Sequence, residues 1–375
     1  MTSEDPLQGW TWSEAKYENG TIVCQVPELD YGKLTAGIDG ETTGLSFNVD
    51  VALNGQQFTG KPLQFRYYDI EVEKIDPAIG PSEGGTVINI MGSGLYDSSI
   101  KRVKFLVDYS SPVVDASGQP NERVVTAQWD RKLKCLQCIV PPLTWLFNGT
   151  EIPEEELEVI KQVPVKILLT FNNQEWIEAL SFKYFDHKVE RIAFATGFGA
   201  EVADPAERDK LWKADEPIEK YPEDLPAEEV KKRDEEKLRK AQEETEESQT
   251  VAKRRGTKIF IYGHDFCNME TVKVKFIHAG TGVSKELLGV SAATGQIVFK
   301  NSKKLACEIP DLGPDVPIGN HLVSVEVSLN GQQFSSNGIQ FLYNSVDPAL
   351  SEEDLRKMDE AEEKERAKKA PPKKK

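Results

Sequence analysis

At 375 residues with 39% hydrophobic content, the chain has room for roughly two to four ordinary cores. Its formal net charge of −16 opposes binding to nucleic acid, because phosphate contact needs clustered Lys and Arg that release counterions. No secretory apolar run interrupts the acidic start (Glu4, Asp5, Glu14), and no stretch is long enough to span a bilayer, so neither nucleic acid nor membrane is an expected partner.

Residues 1–69 open with Asn19-Gly20-Thr21, which matches an N-glycosylation acceptor and equally matches ordinary turn chemistry; Asn148-Gly149-Thr150 does the same later, and the turn is the favoured reading for both. Cys24, Val26 and Pro27 follow. Phe47, Val49, Val51 and Leu53 then alternate into Asn54-Gly55-Gln56-Gln57-Phe58, and Leu63, Phe65 and Tyr67 alternate out of it. Period-two alternation around Asn-Gly predicts a hairpin closed by a tight type I′ turn.

The next stretch, residues 70–186, begins Ile75-Asp76-Pro77-Ala78 and continues through Gly84-Gly85-Thr86 into Val87, Ile88, Ile90, Gly92 and Gly94, then Val103, Lys104 and Phe105. It closes with the same series as before: Cys138, Val140 and Pro141, then Asn172-Asn173-Gln174-Glu175-Trp176, then Phe182 and Tyr184. A third copy supplies Cys307, Ile309 and Pro310, then Asn330-Gly331-Gln332-Gln333-Phe334, then Phe341 and Tyr343. The chain is thus an array of one repeated unit, and function is to be sought in its surfaces and joints.

These residues strongly resemble IPT/TIG domains, the immunoglobulin-like modules shared by plexins and certain transcription factors. Pro, Gly-Gly-Thr, a β-branched strand and Gly-x-Gly look like the family's opening strands, and Cys-x-Val-Pro with the Asn-Gly-Gln-Gln-Phe and Phe-x-Tyr pieces look like its closing strands. The resemblance covers most of residues 1–343 and implies an all-β protein of tandem immunoglobulin-like β-sandwiches, with a charged helical insertion and a C-terminal helix. Residues 1–69 hold only a closing half; 70–186 form a complete module; 187–343 form one interrupted at about 201–255; 344–375 are a charged helix and a Lys-rich tail. Half a sandwich lacks a partner sheet, so either Met1 is an internal start in a longer protein or the half-module borrows strands from the second domain or a partner; truncation is the favoured expectation.

In the third unit the Gly-Thr opening reappears only at Gly256-Thr257, ahead of Ile259, Ile261, Gly263 and Phe266. From Pro226 the insertion reads as a helix, with Glu228/Lys232, Glu229/Arg233, Glu235/Arg239 and Glu236/Lys240 as i,i+4 pairs. Val230, Leu238 and Ala241 are too sparse for a core stripe, which predicts a solvated excursion. After Tyr343, Val346-Asp347-Pro348-Ala349 echoes Ile75–Ala78 as a joint, and Ser351-Glu352-Glu353-Asp354 predicts a capped helix ended by Pro371 and Pro372.

No catalytic, cofactor-binding or metal-ligating constellation is expected. His187, His264, His278 and His321 are scattered, Cys135-Leu136-Gln137-Cys138 has neither a second pair nor a βαβ setting, and Gly197-Phe198-Gly199 is too short for a phosphate loop. The cysteine recurring once per unit makes poor disulfide arithmetic and suits a small buried hydrophobe in a reducing compartment. The leading expectation is a non-catalytic cytoplasmic scaffold or adaptor with protein partners and no small-molecule substrate. Family analogy adds a cytoskeletal, ciliary or flagellar setting. Its expected partner-binding residues are Lys232, Arg233, Arg239 and Lys240 on the inserted helix and Lys373, Lys374 and Lys375 in the tail. The rival readings are a fragment of a plexin-like receptor ectodomain and, behind it, a transcription-factor module, which would need a basic DNA-reading region.

Overall fold

The computed structural model describes residues 13–28, 44–107, 122–146, 153–186, 188–195, 202–218, 222, 225–289 and 295–369. Strands β1 (Ala15–Glu18) and β2 (Thr21–Cys24) form a hairpin closed by Asn19 and Gly20, with φ of 49° and 86°. Two positive φ angles in succession are the type I′ geometry that Asn-Gly favours. Strands β3 (Gly44–Val49) and β4 (Leu63–Tyr68) make a second antiparallel pair. The Tyr67 hydroxyl donates to the Pro27 carbonyl at 2.8 Å and ties the two hairpins together.

A complete sandwich follows. Its elements are β5 (Glu71–Asp76), β6 (Ile79–Pro81), β7 (Val87–Ser93), β8 (Arg102–Val107), β9 (Glu122–Thr126), β10 (Gln128–Asp130), β11 (Cys135–Ile139), the short helix α1 (Leu143–Leu146), α2 (Glu154–Gln162), β12 (Val165–Thr170) and β13 (Ile177–Phe185). One sheet runs β10-β11-β7-β5 and the other β6-β13-β12-β8-β9. Period two decides which side chains meet between them: Ile88 and Ile90 from β7, Leu136 from β11, Val103 and Phe105 from β8 and Ile167 from β12 are all buried in one core. Tyr184 repeats the Tyr67 clasp, its hydroxyl donating to the Pro141 carbonyl at 2.6 Å. In these two units Cys-x-Val-Pro and Phe-x-Tyr are thus halves of one contact, while in the third Tyr343 bonds the backbone at Leu312.

The third unit contains β14 (Val189–Phe194), α3 (Pro205–Lys213), α4 (Ala227–Thr250), β15 (Lys258–Gly263), β16 (Lys273–His278), β17 (Ser284–Leu288), β18 (Ile297–Asn301), β19 (Lys304–Glu308), β20 (Gly319–Ser328) and β21 (Gln340–Ser345). Its sheets run β14-β15-β19-β18 and β17-β16-β20-β21 around a second core. The two sandwiches share their opening geometry. Gly85 N–H donates to Val140 O and Val140 N–H to Thr86 O; Gly256 N–H donates to Ile309 O and Ile309 N–H to Thr257 O.

That equivalence locates the insertion. In the earlier sandwich Pro77 and Ala78 carry the chain from β5 to β6, which pairs in parallel with Tyr184 of the opposite sheet. In the later one α3 and α4 occupy that crossover, and the chain returns at Lys253, which bridges in parallel to Tyr343. The last helix, α5 (Glu352–Lys369), starts at the expected capping box: Asp354 N–H donates to Ser351 Oγ (3.2 Å), and Ser351 N–H reaches Asp354 Oδ2 (3.4 Å).

The Asn-Gly turns at Asn54, Asn172 and Asn330 differ from expectation. Positive φ is confined to the second residue, 70° at Gly55, 62° at Asn173 and 75° at Gly331, so none is a type I′ turn. Each Asn instead accepts two backbone N–H bonds on its Oδ1, from the residues two and three positions on. These are side-chain-capped loops lying beyond the last cross-strand ladder pairs, Val49–Leu63, Leu169–Ile177 and Ser324–Gln340, and side-chain amide chemistry, more than backbone handedness, makes Asn useful there.

Candidate interaction surfaces

The second and third units meet through one of these capped loops. Gln332 brackets the backbone of Val87, its Oε1 accepting from the N–H at 2.9 Å and its Nε2 donating to the carbonyl at 2.8 Å. Buried Asn330 donates from Nδ2 to Thr86 Oγ1 (3.1 Å), which donates in turn to Gln333 Oε1 (3.1 Å). A Cβ on Gly80 would lie 2.3 Å from Thr86 Oγ1, so glycine is required where that hydroxyl is held. Beside the loop, Phe185 of β13 is buried in the third unit's core and Ile79 packs against it. Asp186 N–H reaches Asp265 Oδ2 at 3.2 Å. The Gln-Gln of the repeat therefore acts here as an inter-unit joint, a role invisible in the sequence because its partner lies more than two hundred residues away.

The insertion is only partly the solvated excursion expected of it. Trp212 of α3 is buried against Phe260, ring centroids 5.4 Å apart, on the outer face of β15. Lys300, also buried, donates from Nζ to the carbonyls of Leu211 (3.1 Å) and Ala214 (2.8 Å) at the end of α3, with the Glu216 carboxylate 3.5 Å away. Desolvation lowers the pKa of its amine, and Glu216 opposes that shift. A readable signal existed: Phe260 and Tyr262 give β15 apolar residues on both faces, which calls for a cover on each.

Helix α4 is clamped at its C-terminal end, where Ser248 is buried and Glu244 pairs with Arg191 of β14. Arg191 also lies 3.6 Å from the Tyr262 ring centroid. Lys232, Arg233, Arg239 and Lys240 all lie on the exposed stretch before the clamp. Arg239 pairs forward with Glu243 at 3.6 Å, not back to Glu235 as the spacing suggested. Lys373, Lys374 and Lys375 lie outside the described residues. Helix α5 is held by Arg254, itself buried, which reaches Asp359 at 2.5 Å and also pairs with Glu362. The Val346–Ala349 joint is gripped by Arg255, donating to the carbonyls of Asp347, Pro348 and Leu350.

All five cysteines are free. Cys138 and Cys307 are buried core residues as expected, whereas Cys24 is exposed on β2, which among the described residues pairs with β1 alone. Cys135 and Cys138 lie three apart on strand β11 and so point to opposite faces, which separates the thiols of the Cys-x-x-Cys. Burial pushes the Cys138 thiol up to about 12 and also raises Cys135, so both stay protonated. Pairing of β16 with β20 brings His278 and His321 together, rings 4.8 Å apart, a contact that their sequence separation hides. His278 Nδ1 accepts from Thr281 N–H at 3.0 Å and His321 Nε2 donates to Pro317 O at 2.7 Å. Among the described residues no group of three His, Cys, Asp or Glu could hold a metal ion, and no helix is long and apolar enough to cross a membrane.

The model of the IPT/TIG domain family matches residues 71–159 and 247–343. The chain carries two IPT/TIG domains. The second match begins at residue 247, in the last turn of α4. IPT/TIG is a non-enzymatic immunoglobulin-like family whose domains generally mediate protein interactions. Among solved structures, the chain is similar to two of the full extracellular region of plexin A4. For domains 1 to 8 the identity is 10% and the TM-score 0.23, covering 74% of this chain and 24% of that one. For domains 1 to 10 the identity is 10% and the TM-score 0.22, covering 75% and 22%. The chain therefore spans about a quarter of the length of those proteins. No curated protein matches it in sequence.

Proposed function

We propose that this protein is a non-catalytic intracellular scaffold or adaptor that binds protein partners through its IPT/TIG domains and charged helices, within a cytoskeletal or ciliary assembly. The observation that carries the reading is α4. Its C-terminal end is fixed to the third unit, while the stretch from Ala227 to Lys240 projects exposed over roughly 21 Å, at about 1.5 Å per residue. A charged helix anchored at one end on a rigid domain presents Lys232, Arg233, Arg239 and Lys240 to an acidic protein surface. Unpaired thiols in both cores support a reducing compartment.

Co-sedimentation with microtubules and pull-down from cell extract test the reading, comparing the native chain with a Lys232→Glu/Arg233→Glu variant and with a chain lacking Lys373–Lys375. Loss of capture in the helix variant, with unchanged thermal unfolding, supports the arm as a contact. Unchanged capture after tail removal eliminates the tail. The ectodomain alternative has one feature in its favour, the exposed Asn19-Gly20-Thr21 turn. A mass loss on glycosidase treatment of native material would establish it and end the intracellular reading.

A further inference from the structure

Two hexapeptides of this chain are identical, Leu53-Asn54-Gly55-Gln56-Gln57-Phe58 and Leu329-Asn330-Gly331-Gln332-Gln333-Phe334. Asn-Gly is the dipeptide in which an asparagine is chemically least durable, because nothing on the glycine shields its backbone nitrogen from the Asn Cγ. That nitrogen loses its proton and bonds to Cγ; Nδ2 takes up a proton and leaves as ammonia. Water then opens the cyclic imide at either carbonyl, giving aspartate or isoaspartate. A side chain at 331 would slow the ring closure, but the position excludes one: its φ is 75°, and an added Cβ would lie 3.1 Å from the Thr271 carbonyl oxygen. In the second unit Asn173 stands at this place, and its side chain hinders attack on Asn172.

Identical neighbours give the two copies the same intrinsic reactivity, so their surroundings alone separate them. Asn54 is exposed, and its Nδ2 donates to Gln57 Oε1 at 2.7 Å. Asn330 is 3% exposed, and its Nδ2 donates both to Gln333 Oε1 (2.6 Å) and to Thr86 Oγ1 of the second unit (3.1 Å). Its Oδ1 also accepts from Ser328 Oγ at 3.3 Å. The nitrogen that must leave in the reaction is thus the one that the neighbouring unit holds. Gln332 closes the same contact by bracketing the Val87 backbone.

We infer that Asn330-Gly331 is a self-modifying site gated by the joint between the second and third units, and that its conversion makes opening of that joint irreversible. While the loop is docked the reaction waits for the joint to open, and the two further buried bonds slow it about thirtyfold relative to Asn54. The aspartate product keeps acceptors for the N–H groups of Gln332 and Gln333 but has no amide to donate to Thr86 Oγ1 or Gln333 Oε1. It sets a buried carboxylate against those oxygens, which opposes redocking. Isoaspartate, in which the main chain runs through the former side-chain carbon, also shifts Gln332 away from Val87. This site is distinct from the α4 arm and works without a partner.

The test incubates the full chain in mildly alkaline buffer and follows Asn54 and Asn330 by peptide mapping that separates asparagine, aspartate and isoaspartate. Asn54 should convert first and Asn330 about thirtyfold more slowly. Gln332→Ala, an exposed substitution that removes the bracket on Val87, should speed conversion of Asn330 several-fold and leave Asn54 unchanged; Thr86→Val, which removes the hydroxyl holding Nδ2, should do the same. In a separate arm, Asn330→Asp should hasten amide exchange at Val87, whose N–H is held by Gln332 Oε1. Equal rates at Asn54 and Asn330 in the native chain, or no acceleration of Asn330 in Gln332→Ala, would overturn the gate. Acceleration shared by Asn54 would trace the effect to general unfolding and overturn it too. Unchanged Val87 exchange in Asn330→Asp would overturn the irreversible opening.

Discussion

Replacing Asn330 with alanine isolates what the joint contributes, because Asn54 offers the same local loop without one. Asn54 makes three local bonds: from Gln56 N (3.0 Å) and Gln57 N (2.9 Å) and to Gln57 Oε1 (2.7 Å). Asn330 makes the same three and adds Ser328 Oγ (3.3 Å) and Thr86 Oγ1 (3.1 Å) in a buried setting. Exposed local bonds are largely replaced by water, so Asn54→Ala should cost about 1 kcal/mol or less; two further buried bonds at about 1 kcal/mol each bring Asn330→Ala to about 3 kcal/mol. A chain of several units does not unfold in one step, so exchange of individual amides in β20 and β21, compared with β3 and β4, is the suitable measurement. Equal costs at the two sites, within about 0.5 kcal/mol, would show that the Asn330 loop is only a local cap and that the inter-unit bonds carry no stability.

Three further outcomes follow from the same geometry. Tyr184→Phe should destabilise the second sandwich by about 1–2 kcal/mol in urea unfolding, since it leaves the buried Pro141 carbonyl unpaired, and Tyr67→Phe by less because its clasp is half-exposed. Lys300→Ala should release α3, costing about 3 kcal/mol and red-shifting Trp212 emission, whereas Lys300→Met, which loses the same charge and bonds but fills the space of the buried stem, should retain more of the native spectrum. His278 titrates below its ordinary 6.5, chiefly through burial and then through neighbouring His321, so the native third unit favours the neutral ring. The associated stability is full above pH 6.5 and is lost as pH falls through the lowered native value; His278→Asn, which keeps an acceptor for Thr281 N–H, should flatten that loss in thermal scans at pH 7.5 and 5.5.

How much of this was legible depended on the range of the signal. Period-two alternation and the recurring Cys, Pro, Phe and Tyr marked the closing strands, because inward-facing residues must repeat with the pleat wherever a sheet is half-buried. The charged stretch was legible as helix from its i,i+4 pattern. Its anchorage was legible only by half: Phe260 and Tyr262 call for a cover on β15, but that Trp212 and Lys300 supply it shows only when β15 and β18 stand beside them. The Asn-Gly turns were misread for a local reason: a dipeptide reports φ preference, while the side-chain bonds that cap these loops depend on where the strands stop. Asn19-Gly20, where two residues alone join paired strands, did take the tight form. Gln332 carried no signal at all, being exposed and hydrogen-bonded to backbone, which leaves no trace in side-chain pattern.

The crossover that holds the insertion has an implication for how such a protein can change. Chain enters there from the end of β14 and returns at Lys253, two points already fixed by strand pairing on opposite sheets. Helical residues gained or lost before the Glu244 anchor would move the tip of the arm by about 1.5 Å each and rotate its charged face by about 100°, leaving every core contact in place. Reach and angular aim are thereby separable from folding stability, so the arm works as an adjustable gauge mounted on a rigid frame.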